Sequence, residues 1–183
     1  MRALLHRARW HAAGAQLARL ASLLLILALA GVGVAAAAIA IQAQRDETRS
    51  ADLLLVIAPD LPPAALIDHS FDLYHRGYAV QVALAGPGRG QARADLLARG
   101  LPQSALSVLA EGESLLDALA AARDGGAQSL LVVSAPADQL LSLKVAHDQG
   151  LRAYGSPALT PSLDLLGALS ATLGYWRYVF FQA

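Results

Sequence analysis

The segment LASLLLILALAGVGVAAAAIAI, Leu20 to Ile41, runs for 22 residues with no charge and one polar side chain, Ser22. A helix of that length reaches about 33 Å, enough to cross the hydrocarbon core of a bilayer. A helix buried in a soluble core seldom runs so far without a polar stripe. The reading is one transmembrane helix over 20–41. A cleaved signal peptide competes with it, because Ala38-Ile39-Ala40 has small-x-small spacing. The apolar run, however, exceeds the about 7–15 residues of a signal h-region.

The flanks set an orientation. Arg2, Arg7, Arg9 and Arg19 precede the span, and no acid occurs before Asp46. Excess arginine and lysine stay on the cytoplasmic side, so 1–19 reads as a cytoplasmic basic segment. Residues 42–50 read as a polar linker and 51–183 as an extracytoplasmic domain of a bacterial inner-membrane protein. Formal charge splits the same way. Residues 1–49 hold six Arg against two acids, while 50–183 hold eight basic residues against twelve acidic ones. A domain of that sign has no electrostatic attraction to nucleic acid. Cysteine is absent, which excludes disulfides and thiolate chemistry.

After the linker, short apolar runs alternate with helical patterns. LLLVIAP (Leu53 to Pro59), Tyr78 to Ala85, Ala105 to Ala110, Gln128 to Ser134 and Arg152 to Gly155 read as strands. Ala64 to His75, Gln91 to Arg99, Glu113 to Arg123, Pro136 to Gln149 and Ser162 to Phe181 read as helices, with Gly77, Gly100 and Gly150 as stops. Such alternation predicts an α/β domain, a Rossmann-like and mainly parallel sheet with helices on both faces.

In an open parallel sheet, ligands bind beyond the carboxyl ends of the strands. Two groups of candidates fall in those turns. Gly86, Gly88, Arg89 and Gly90 of GPGRG suit an anion, through close backbone N–H groups, a helix start and a guanidinium. The same residues also suit a plain strand-to-helix turn. Asp60, Ser114, Asp117, Ser134 and Asp138, with Glu111 and Glu113, form an acidic rim with two hydroxyls, and paired carboxylates there could divide acid and base roles. Glu113, Asp117 and Asp138 serve equally as first-turn residues favoured by a helix dipole. His69, His75 and His147 lie on helices and are expected to face away from the strand tips. No metal site is expected and no cofactor is indicated. The C-terminal run YWRYVFF suits either a membrane interface or an aromatic plug against the sheet.

The anchor, the apolar first strand, DLYHRG, the strand ending at Gly86, LLARGLP and VVS…QGL together resemble the YdcF-like family of envelope proteins, which includes SanA and ElyC. The resemblance covers about Ala51 to Pro157. It implies a Rossmann-like sheet, a role in the cell envelope and polar groups at the strand tips. Several of those groups are replaced here. The glycine-rich first turn is Ala58-Pro59-Asp60, and the early arginine of the first helix falls on Leu66. The serine of the Ser-Gly pair is Ala85, and the glutamate opening the next helix falls on Gln91. The threonine and asparagine of the third turn fall on Ser114 and Asp117. In the fourth turn the threonine is Ser134, the histidine falls on Asp138 and the arginine on Leu141. Losing a guanidinium removes a bidentate anion grip, and losing an imidazole removes a group titrating near neutrality. The expectation is a membrane-anchored domain that binds an envelope protein or an anionic small molecule. The alternative is an enzyme of envelope polysaccharide or lipid-carrier metabolism with a rebuilt acidic site.

Overall fold

The computed structural model describes residues 46–108, 115–158 and 165–181 (of 165–171 and 181 the backbone alone), together with helical residues 16, 19–34, 37–38 and 41 of the N-terminal segment. Two compact units result, Met1–Ala37 and Ala38–Ala183.

In the first unit, helix α1 is described over residues 19–34. Leu23 to Leu27, five consecutive apolar side chains, are each more than half exposed, so no single face of α1 is covered. Among the described residues no helix is long and apolar enough to cross a membrane. Residues 35, 36, 39 and 40 of the expected span, and nearly all of the basic segment 1–19, lie outside the described residues.

The second unit alternates β1 (Leu53–Ile57), α2 (Ala64–His75), β2 (Val82–Ala85), α3 (Arg89–Ala98), β3 (Leu106–Val108), α4 (Leu115–Asp124), β4 (Ser129–Val133), α5 (Pro136–Asp148), β5 (Arg152–Gly155) and α6 (Leu165–Phe181). All four strand pairings are parallel, in the order β3-β2-β1-β4-β5. The expected Rossmann-like α/β sheet is present.

The three inner strands β2, β1 and β4 are buried on both faces, which is why their sequences are almost continuously apolar. Side chains alternate along β1. Leu54 and Val56 pack with Leu66, Ile67 and Leu73 of α2 and Leu96 of α3. Leu53 and Leu55 pack with Leu119 of α4 and Val145 and Ala146 of α5. Each of the four crossover helices is followed by a positive-φ glycine: Gly77, Gly100, Gly126 and Gly150.

Two elements differ from the sequence expectation. Helix α3 opens at Arg89 rather than Gln91, so the last two residues of GPGRG are already helix. Strand β2 is four residues long because its approach bends outward, leaving Val80 77% exposed.

At the amino ends of the central strands, the Asp52 carboxylate ties β1 to β4. It accepts from Gln128 N–H at 3.0 Å, Ser129 N–H at 2.8 Å and the Ser129 hydroxyl at 2.8 Å. The Ser129 hydroxyl and then those two amides hold the carboxyl below its usual 3.8. A depressed carboxyl stabilises the fold above its unfolded value, and that contribution is lost as pH falls through the folded one. Asp52→Asn is therefore expected to lower the melting temperature at pH 7 and to flatten the acid limb below about pH 4. Thermal melts from pH 7 to pH 2 check it.

Candidate functional site

The strand order reverses direction between β1 and β4, so the crevice of this sheet opens between the turns that follow them. On the β1 side the chain runs Ala58-Pro59-Asp60, with Ala58 buried and Asp60 exposed. On the β2 side, Gly86 to Gly88 fold back onto this same turn. Gly88 N–H donates to Ala58 O at 3.2 Å. A Cβ on Gly88 would stand 1.8 Å from Pro59 O, and one on Gly86, at φ 89°, would stand 2.3 Å from Ala58 O. These two glycines are required by a close approach of the protein to itself. Gly90 has open space around its Cβ direction, in the first turn of α3. The Arg89 guanidinium donates to Gly86 O at 3.1 Å, pinning the loop that carries it.

On the β4 side, Ser134 is fully buried. Its hydroxyl reaches Gln139 Oε1 at 2.7 Å and Ala135 O at 3.1 Å. Gln139, also fully buried, donates from Nε2 to Val132 O at 3.1 Å. This glutamine locks the end of β4 to the first turns of α5 and leaves the serine hydroxyl engaged within the fold. Asp138, one residue earlier, is exposed along part of its surface, and partial loss of hydration pushes its carboxyl above the usual range. Asp117 is exposed on α4. Ser114, Glu111 and Glu113 lie outside the described residues. Among the described residues, no group of three His, Cys, Asp or Glu side chains gathers in a way that would hold a metal ion.

One imidazole departs from expectation. His69 does not face away from the strand tips. Its Nε2 lies 2.8 Å from Ser156 Oγ, immediately after β5. Ser156 is fully buried, and its hydroxyl also meets Thr48 Oγ1 at 2.8 Å and donates to Asp46 Oδ1 at 3.1 Å. The linker is thus docked against the body, with Glu47 N–H donating to Gly155 O at 2.9 Å and the Arg49 guanidinium 5.4 Å over the Tyr154 ring. His69 and Ser156 are separated by 87 positions, so no local spacing announces the pair.

Comparison with family models, with curated proteins and with solved structures finds no match.

Two clefts open at the opposite end of the sheet, away from these tips. One of about 370 Å³ is lined by Asp52, Gln81, Ser107 and Gly126. A shallower one of about 650 Å³ is lined by Arg123, Gln128, Gln149 and Arg152. Their polar groups are largely spent within the fold. Asp52 holds β4, and Arg123 donates to Gln149 Oε1 at 3.0 Å and to Asp124 at 3.0–3.1 Å. The aromatic end of α6 divides by face. The Tyr178 hydroxyl donates to Asp148 Oδ2 at 2.9 Å. Leu173 and Phe180 are exposed, with Trp176 stacked on Phe180 at 5.1 Å.

Proposed function

We propose that this chain is a membrane-tethered, extracytoplasmic YdcF-like domain of the cell envelope that binds a partner rather than catalysing a reaction. One observation carries the non-catalytic part: the serine hydroxyl and the guanidinium at the crevice are engaged within the fold. Ser134 is held by Gln139, Arg89 by its own loop, and Gly86 and Gly88 by the β1 turn. A nucleophile needs a base within about 2.6–3.2 Å and a free path to the substrate. Ser134 has an amide neighbour and no solvent exposure.

The tether is supported by α1. A helix with five consecutive apolar side chains each more than half exposed is one whose sides a bilayer would cover all at once. The proposed occupant is an envelope protein or an anionic molecule presented at the membrane surface.

Three exposed carboxylates test the reading: the variant carrying Asp60, Asp117 and Asp138 all changed to Ala. The variant is expected to keep the wild-type phenotype when it replaces the native chain in cells. Loss of that phenotype in a folded, membrane-bound variant would support the enzyme with a rebuilt acidic site. Protease added to intact spheroplasts should digest residues 51–183; a protected domain contradicts the extracytoplasmic orientation.

A further inference from the structure

Helix α6 lies against α5, and its two sides differ in chemistry. On the inner side a Cβ on Gly174 would meet Leu141 of α5 at 3.9 Å. Tyr178 packs against the core shared by β1, β4, α4 and α5, and its hydroxyl reaches Asp148. At 100° per residue, Gly174 and Tyr178 share that side, while Leu173, Trp176, Arg177 and Phe180 fall on the opposite one. Leu173 is 69% and Phe180 68% exposed, and Trp176 stacks on Phe180. The outer side of the helix is therefore a continuous apolar strip with one guanidinium in it, where a solvated helix would carry polar side chains.

We propose that this outer face of α6 docks on the lipid headgroup region of the membrane, with the Trp176 and Phe180 rings inserted and Arg177 directed to the phosphates. The inference rests on the tether proposed above and adds a second membrane contact to it.

Three observations favour lipid over a protein partner. The first is residue type, because tryptophan and tyrosine concentrate at the headgroup level, where one end of the ring is apolar and the other wet. The second is charge. All twelve acids of residues 50–183 precede α6, and Arg177 is the only formal charge within it. Among the described residues no carboxylate pairs with Arg177. The carboxylate that does meet α6, Asp148, is paired with Lys144 and receives the Tyr178 hydroxyl. An anionic surface is repelled by the acidic body elsewhere and meets a cation here. The third is area. Four side chains, one of them a tryptophan already partly covered, offer on the order of 400 Å². Each partner in a stable protein complex buries about 800 Å². A tethered domain needs no such area, because the tether supplies the effective concentration and the face has only to act as a second signal.

Trp10→Phe leaves Trp176 as the only tryptophan of the full chain. That chain is reconstituted in vesicles of phosphatidylethanolamine and phosphatidylglycerol, with or without bromine on the acyl carbons nearest the headgroups. Bromine quenches an indole only at short range, so most of the Trp176 emission is expected to be lost in the brominated vesicles. Leu173→Glu combined with Phe180→Glu should restore it while the chain still floats with the vesicles. Both side chains are exposed, and Leu173→Ser with Phe180→Ser takes their place if the charged pair fails to fold. Arg177→Gln should weaken docking about fivefold, the share of one cation at an anionic surface. A chain that floats with Trp176 unquenched overturns the docking and leaves the tether standing. Emission that then varies with the number of chains per vesicle would assign the face to a second copy instead. Quenching that persists in the doubly substituted chain overturns the assignment to this face. A chain that does not float overturns the tether, and the docking with it.

Discussion

Gly88→Ala is expected to destabilise the α/β unit by about 3 kcal/mol, a large share of the roughly 5–15 kcal/mol that holds a domain together. The added methyl would sit 1.8 Å from Pro59 O and 2.9 Å from the Pro62 ring. Neither neighbour is the free end of a flexible side chain, so the two turns must separate. Separation breaks the Gly88–Ala58 hydrogen bond and opens the crevice side of β1 and β2. Gly90→Ala provides the control two residues away. Its Cβ meets nothing within 4 Å and it lies in a helix, where alanine is favoured over glycine by about 0.5–1 kcal/mol. Urea unfolding of the two variants should move in opposite directions. Equal, small effects would mean that the β1 and β2 turns do not meet as described. The same pair separates two uses of a glycine loop, because a cradle that exists for a ligand leaves the unliganded fold tolerant of both changes.

Gln139→Ala is expected to cost about 3 kcal/mol, through a cavity and a stranded hydroxyl. The side chain is wholly buried and fills the space against Gly155, where a Cβ would come within 2.6 Å of its Nε2. Removing it deprives the Ser134 hydroxyl of its 2.7 Å partner. Val132 O loses one donor but keeps Ser156 N–H. Gln139→Glu is the sharper comparison. It preserves volume, but at neutral pH it buries a carboxylate facing Val132 O, where the wild type places a donor. Its loss should shrink as the pH is lowered toward the carboxyl range. Denaturation at pH 7 and pH 5 measures both. A Gln139→Ala cost below about 1 kcal/mol would remove the glutamine from its place as a lock, since ordinary surface changes stay within roughly half that.

The architecture was legible because burial on both sides of a parallel strand writes itself as an apolar run, LLLVI in β1 and LLVV in β4, while Gly77, Gly100 and Gly150 mark the ends of α2, α3 and α5. Strand order is a different matter, since the pairing of β1 with β4 joins residues 77 positions apart and leaves no local trace. Positions at the strand tips were legible too, but not their state. Nothing in VVSAPADQ separates a serine presented to a ligand from one turned inward to an amide. Gln139 escaped notice for a related reason. Helix α5 buries Gln139 and Ser142 along with Leu143 and Ala146, so polar and apolar residues share its inner side and the helical pattern loses contrast. The linker QAQRDETRS read as a spacer because its composition is polar. Its hydrogen bonds to Ser156 and Gly155 depend on residues more than 100 positions away.

Those bonds bear on how the domain can be handled. β5 is an outermost strand, and Glu47 to Arg49 lie over part of it. Trimming the chain back to Leu53 would strip that cover. It would also bare the Gly155 carbonyl on an edge strand, where unpaired backbone groups template association between neighbouring molecules.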